Sequence, residues 1–204
     1  MTPDFQPALE AVFGKVENLH RLSGGASQET WSFDAVVGGA VEPLILRRSP
    51  GGAARVTESS SAVPLETEAV VIEAARAAGV KAPRVRYVLT PEDGAGHGYV
   101  MDRLAGETIA RKILRDAEFA DARPKLARQC GEILARIHAV DPAPLCSVLP
   151  VVDGPSQLRR YRDLYDAYNY PHPMFEFAFK WLEPRMAKAK RQTLVHGDFR
   201  HGNL

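Results

Sequence analysis

Three polar residues near the end of the sequence have the types and the spacing that phosphoryl transfer requires. In segment 196–203, His196, Asp198 and Asn203 form the pattern His-x-Asp-x-x-x-x-Asn. Transfer of a phosphoryl group to a hydroxyl needs a carboxylate that orients the nucleophile and accepts its proton late, and oxygen ligands for Mg²⁺. We therefore predict that Asp198 is the catalytic carboxylate, that Asn203 is a metal ligand, and that His196 braces the loop by hydrogen bonding.

The same segment has a simpler interpretation. Gly-Asp and Gly-Asn pairs are typical of surface turns, so 196–203 could be two turns without chemistry. Two kinds of context favour the catalytic interpretation. A short predicted strand at 193–195 precedes the motif, and the other parts of a phosphotransferase occur upstream in the expected order.

The first upstream part is a glycine-containing turn that could present backbone N–H groups to phosphates. It consists of Ser23, Gly24, Gly25, Ala26 and Ser27 and lies between two predicted strands. It lacks the full Gly-x-Gly-x-x-Gly spacing, so an ordinary hairpin turn explains it equally well.

The second part is a cation on a strand, oriented by a glutamate on a helix. Arg47 ends the apolar strand 44–46, and Arg48 is the alternative; Glu68 lies on a predicted helix over 64–78, with Glu66 as the alternative. Each feature alone is commonplace, because acidic residues favour the first turns of any helix. Their order along the chain is what favours a phosphate-binding pair.

Hydrophobic periodicity predicts the elements that carry these residues. A helix is expected over 4–13, a glycine-interrupted β-meander over 16–46, the helix 64–78, and strands at 85–89 and 99–104. Helical periodicity follows over 108–139, 156–167 and 174–187. Strands with one helix first and mainly helices afterwards predict an α+β fold of two lobes, residues 1–104 and 105–204.

Taken together, the segments resemble the aminoglycoside phosphotransferase family, in particular the branch related to kinase-like domains linked to acyl-CoA dehydrogenases. The matching segments are 22–27, 44–48, 65–68, 79–85, 99–106, 134–141 and 195–204. The resemblance therefore runs almost from end to end. It implies a bilobal protein-kinase-like fold with an antiparallel β-sheet N-lobe, a helical C-lobe, and ATP or GTP as co-substrate with Mg²⁺.

The resemblance also implies that 99–104 is the hinge strand whose backbone meets the nucleotide base, with Met101 as a neighbour of the base. Gly197 stands where many protein kinases have an arginine that receives an activation-loop phosphate, which favours a kinase for small molecules. Family members need a further metal-binding aspartate downstream of the asparagine. We expect from this that the sequence is truncated at its C-terminus, which leaves open whether these 204 residues are active by themselves.

Composition limits the partners. Lys plus Arg total 26 and Asp plus Glu total 25, so the net charge of +1 provides no field that would attract nucleic acid or an anionic membrane. There is no secretory signal pattern and no apolar stretch of membrane-spanning length. We expect a cytoplasmic protein whose partners are a nucleotide and a small hydroxyl-bearing substrate; its oligomeric state is left open.

Two other functions are weighed. A non-catalytic nucleotide-binding module of the same fold would lack the second metal ligand. A metallophosphoesterase would need an Asp-x-His pair for a dinuclear metal centre, and no such pair occurs in the sequence. The phosphotransferase is therefore the preferred prediction.

Overall fold

The computed structural model describes residues 3–22, 28–53, 63–187 and 189–203, and at His201 it describes the backbone only. The predicted phosphate turn Ser23, Gly24, Gly25, Ala26 and Ser27 lies outside the described residues.

Five antiparallel strands form one sheet. They are β1 (Lys15–Arg21), β2 (Glu29–Val37), β3 (Ala40–Arg48), β4 (Val85–Val88) and β5 (Gly98–Asp102), in the spatial order β1-β2-β3-β5-β4. A hairpin turn joins β2 to β3, and Gly38 and Gly39 supply its positive φ angles. The predicted meander and both later strands are therefore present.

Helix α1 (Gln6–Phe13) covers one face of the sheet. Its Leu9 is fully buried with Phe33 and Leu46, which belong to the main apolar core. Gly14 ends the helix with φ +77°, a conformation that glycine adopts without steric cost.

Helix α2 (Leu65–Ala77) packs against the β4–β5 side of the opposite face. Pro64 precedes the helix, and Leu65 and Ala69 form a second apolar cluster with Tyr99 of β5. Since side chains alternate along a strand, each strand contributes to both cores. The face that α2 shares is the one that carries the candidate site.

The regular elements described after β5 are helices. It contains α3 (Ala110–Arg115), α4 (Arg123–Ala139), α5 (Gly154–Tyr168) and α6 (Pro173–Leu182). The helix predicted over 108–139 is wrong in its continuity, since residues 116–122 separate α3 from α4. The strand predicted at 193–195 is also wrong: this segment pairs with no other strand in the part of the chain that the structure describes, and an extended segment becomes a strand only by pairing.

Contacts divide the chain into two compact units, Met1–Val140 with Val195–Leu204, and Asp141–Leu194. The predicted lobe boundary between residues 104 and 105 stays a prediction. Among the described helices, none has the length and apolar character needed to cross a membrane. The observed architecture is the expected mixture of one antiparallel sheet and helices.

Candidate active site

Arg47 on β3 and Glu68 on α2 face each other where the helix packs on the sheet. The Nε atom of Arg47 lies 3.2 Å from Oε1 of Glu68, and both side chains are about one-third exposed, at 35% and 31%. The Tyr99 hydroxyl donates to the same Oε1 at 3.0 Å. Burial and the neighbouring Glu68 carboxylate raise the pKa of Tyr99, so its hydroxyl stays protonated and serves as a fixed donor. The glutamate is thereby held toward the arginine.

The alternatives to these two residues have other partners. Arg48 is buried on the opposite face, where its guanidinium lies 4.1 Å from the ring centre of Phe5. Glu66 pairs with His97, with 2.7 Å between Oε1 and Nδ1. Alternation along the strand separates the two arginines, and only Arg47 faces α2 and Glu68.

Met101 lies on the same face of the sheet as Arg47. It is half-buried, pairs with Ile45 across β3 and β5, and packs against the cluster of Leu65 and Tyr99. Its role beside a nucleotide base stays a prediction.

The loop 196–203 is held together by hydrogen bonds that converge on Asp198. The Asn203 side-chain amide donates both to the Asp198 backbone oxygen at 2.9 Å and to Oδ2 at 2.7 Å. Arg200 Nε donates to the same Oδ2 at 3.2 Å. The Asp198 backbone N–H donates to His196 Nδ1 at 3.4 Å, and Gly197 has φ +80°. The spacing of the motif thus lets Asn203 bond back to Asp198 within the same loop.

Hydrogen bonds from Arg200 and then Asn203 lower the pKa of Asp198. The group is therefore a carboxylate at neutral pH and a weak base. A carboxylate of this kind orients a hydroxyl by accepting its hydrogen bond and takes the proton only late in the reaction.

The metal-binding capacity of the described residues is limited. Because both amide protons of Asn203 go to Asp198, the amide oxygen of Asn203 is the atom left for a cation. No cluster of three or more His, Cys, Asp or Glu side chains that could hold a metal occurs in the part of the chain that the structure describes. A Mg²⁺ at this loop would therefore have one protein oxygen as ligand, from Asn203, and would take its other ligands from phosphates and water.

Three contributions were not anticipated from the sequence. Tyr99 was considered only as part of the hinge strand, Arg200 lies inside the motif without an assigned role, and Arg103 forms an ion pair with Asp34 on β2. For Arg200, the available signal was a cation two residues after the aspartate. The other two depend on strand register, which has no local signature.

The chain is similar to known proteins in its sequence and in its fold. The chain is 32% identical to acyl-CoA dehydrogenase family member 10 of Mus musculus over 168 residues, which cover 79% of this chain and 15% of that protein. Its fold is similar to the crystal structure of a Ralstonia eutropha JMP134 protein provisionally named an aminoglycoside phosphotransferase, with a TM-score of 0.70 and 21% identity. That alignment covers 97% of this chain and 59% of the other, and it establishes a kinase-like α+β fold.

The profile of one protein family matches nearly the whole sequence. The match extends over residues 18–204 and includes the strand that carries Arg47, the helix that carries Glu68, and the loop from His196 to Asn203. The chain belongs to the phosphotransferase enzyme family known as APH.

Proposed function

We propose that this chain binds ATP or GTP and transfers its γ-phosphoryl group to a hydroxyl of a small molecule. The observation that carries the proposal is that the Arg47–Glu68 pair and the Asp198–Asn203 loop belong to one compact unit of a chain from a phosphotransferase family. These are the two halves that phosphoryl transfer needs, a phosphate-binding cation and a catalytic carboxylate.

Arg47 would bind the phosphates. Glu68 holds its guanidinium at Nε, and the side chain is 35% exposed, so the terminal N–H groups would donate to phosphate oxygens. Glu68 would keep the guanidinium oriented before the nucleotide arrives, which reduces the entropy lost on binding.

Asp198 would orient the acceptor hydroxyl. Among the described residues, Arg200 and Asn203 donate to Oδ2, so Oδ1 is the oxygen that would accept a hydrogen bond from the substrate hydroxyl. The Arg200 side chain is 65% exposed beside it, and its guanidinium would donate to the transferred phosphoryl group. A Mg²⁺ bound through the Asn203 amide oxygen would neutralise charge between the phosphates.

The acceptor is a hydroxyl compound of unassigned class, such as an aminoglycoside, an amino alcohol, a sugar or a hydroxyacyl compound. The runner-up function is a non-catalytic nucleotide-binding module of the same fold. The small number of metal donors favours this function, because Asn203 supplies one oxygen and no acidic cluster accompanies it among the described residues.

Calorimetric titration with ATP and GTP, with and without Mg²⁺, tests the proposal. We expect Mg²⁺-dependent binding that weakens about tenfold or more in Arg47→Met, because a charge-assisted contact to phosphate is lost. Arg86→Met is the matched control, since Arg86 forms ion pairs with Glu42 and Asp102 on the other face of the sheet.

Incubation of the same protein with nucleotide and a panel of hydroxyl acceptors then measures release of ADP or GDP. Transfer supports the enzyme, whereas binding without transfer supports the non-catalytic module. Absence of nucleotide binding would contradict both.

A further inference from the structure

The first turn of α2 carries two glutamates, and each of them bonds to the sheet. Glu68 pairs with Arg47, and Glu66 pairs with His97, with 2.7 Å between Oε1 and Nδ1. A carboxylate only accepts hydrogen bonds, so the proton of the Glu66–His97 bond lies on Nδ1. The proposed phosphate-binding pair thus has a second polar contact beside it in the same helical turn.

Helical geometry places the two glutamates on opposite flanks of the buried stripe of α2. Leu65 and Ala69 pack on Tyr99 and define the centre of that stripe. At about 100° per residue, Glu66 and Glu68 lie about 80° to either side of it. Apolar packing is non-directional, whereas hydrogen bonds are directional. Polar contacts on both flanks therefore restrain the rotation of this turn about the helix axis, which apolar contacts alone define loosely.

His97 is firmly attached to the end of the sheet. It directly precedes β5, its backbone N–H donates to the Gly52 oxygen at 3.1 Å, and its carbonyl accepts from the Ser49 N–H at 2.9 Å. Tyr99 follows two residues later, on the same side of the strand, and donates to Glu68. Alternate residues of one strand thus hold the two glutamates of α2.

The first turn is the part of α2 whose position depends most on such contacts. The first N–H groups of a helix lack helical partners, and helix ends fray. The C-terminal half of α2 is held separately, since Glu73 accepts the Val85 N–H at 2.7 Å. That contact lies about 10 Å along the helix from Glu66. The place of Glu68 is therefore determined by the contacts of the first turn itself.

We infer that the Glu66–His97 pair positions Glu68 against Arg47 and so keeps Arg47 oriented for phosphates. This inference rests on the proposed function, which assigns the phosphates to Arg47. The side chains of Glu66 and His97 are 38% and 42% exposed, so either can be replaced without leaving a buried charge unpaired. Both are positioning residues, because they act on the nucleotide only through Glu68 and Arg47.

Calorimetry with ATP and GTP, each with Mg²⁺, tests the role of the pair. His97→Phe removes the donor and keeps a ring, whereas the side-chain amide of His97→Asn can donate from nearly the same place. We expect His97→Phe and Glu66→Ala to weaken both nucleotides about threefold, because Arg47 is then oriented in about one third of the molecules. His97→Asn should bind as the unmodified chain does, a rescue that a role in packing alone would not produce.

Two comparisons separate positioning from a general loss of stability. In an Arg47→Met background, His97→Phe should cause no further weakening, because the arginine through which it acts is absent. Glu73→Ala removes the contact with Val85 and should leave both dissociation constants unchanged. Urea unfolding curves confirm that the compared variants are folded. Glu66→Ala removes a partly exposed side chain and keeps the test decisive if His97→Phe does not fold.

The outcomes distinguish the two claims. If the unmodified chain binds neither nucleotide, the proposed function fails and the positioning role fails with it. If it binds nucleotide, and the folded variants His97→Phe and Glu66→Ala bind equally tightly, only the positioning role is overturned. It is also overturned if Glu73→Ala weakens binding to the same degree, if His97→Asn binds as weakly as His97→Phe, or if the loss persists in the Arg47→Met background.

Discussion

The hydrogen bond between Tyr99 and Glu68 can be isolated by removing its two partners singly and together. The Tyr99 ring is 1% exposed, and its hydroxyl donates to Glu68 at 3.0 Å. Tyr99→Phe deletes one donor and keeps the ring. Glu68→Ala deletes the acceptor and leaves a buried hydroxyl without a partner. The double variant has neither the donor nor the acceptor.

The burial of the two partners sets the magnitudes. A hydrogen bond to a charged group contributes about 1.5–3 kcal/mol, and the partial exposure of Glu68 points to the lower end, about 1.5 kcal/mol for Tyr99→Phe. Glu68→Ala should cost about 3 kcal/mol, because the orphaned hydroxyl adds its own desolvation penalty. In the Glu68→Ala background, Tyr99→Phe should restore about 1.5 kcal/mol, because it removes the orphaned hydroxyl together with its desolvation penalty. The coupling energy between the two sites is therefore about 3 kcal/mol.

Urea unfolding followed by fluorescence measures these differences. The chain has two tryptophans, and Trp31 packs on Phe5 with a ring-centre distance of 5.0 Å in the core that α1 covers. A Trp181→Phe background leaves Trp31 as the only tryptophan reporter, so the signal comes from the unit that contains the sheet.

Tyr87→Phe is the matched control. The Tyr87 hydroxyl donates to Asp93 at 3.1 Å and has no hydrogen bond with Glu68, so its effect should add to that of Glu68→Ala. If Tyr99→Phe and Glu68→Ala are also additive within about 0.5 kcal/mol, the hydrogen bond does not orient Glu68 and the account of the Arg47–Glu68 pair is wrong.

Three further predictions concern separate parts of the molecule. Asp198→Asn should retain nucleotide binding in calorimetry and lose transfer by about a thousandfold or more in an ADP-release assay; near-normal transfer would exclude Asp198 from catalysis. Gly96→Ala should lower the urea midpoint strongly, because its Cβ would lie within 2.3 Å of Gly52 Cα, whereas Gly94→Ala meets open space and should cost about 1 kcal/mol; equal effects would argue against the close approach. Hydrogen bonds from Asn18, and then from Arg103, lower the pKa of Asp34, so its ionised form stabilises the fold above about pH 5 and loses this effect as the pH falls through the folded-state pKa. Asp34→Asn should therefore be less stable at neutral pH, with a shallower loss of stability between about pH 5 and 3 in urea titrations, and parallel curves would contradict the assignment.

Local patterns were sufficient to predict most of the elements. The apolar spacing in 64–78 identified α2, and the glycine breaks identified the meander, because both signals come from neighbouring residues. The strand predicted at 193–195 failed for the converse reason. A short run such as Thr193, Leu194 and Val195 can form a strand only if a partner lies beside it, and that depends on distant parts of the chain.

In the candidate site, too, the locally determined features could be predicted from the sequence and the long-range ones could not. The motif ending in Asn203 could be recognised by spacing alone, and the loop closes within itself. By contrast, Arg47 could be distinguished from Arg48 only by knowing which face of β3 meets α2. The bond between Arg103 and Asp34 joins residues 69 positions apart, so no local pattern could have predicted it.

The backbone and the side-chain contact of Asn18 restrict which amino acids position 18 can accept. It lies in an irregular stretch of β1 with φ +54°, a backbone conformation that Gly, Asn and Asp adopt with the least penalty. Its side-chain amide must also donate to Asp34. Glycine has no donor, and aspartate would add a second negative charge beside the first. In a saturation library selected for folding, position 18 should therefore return almost exclusively asparagine, although it lies at the surface of an outer strand.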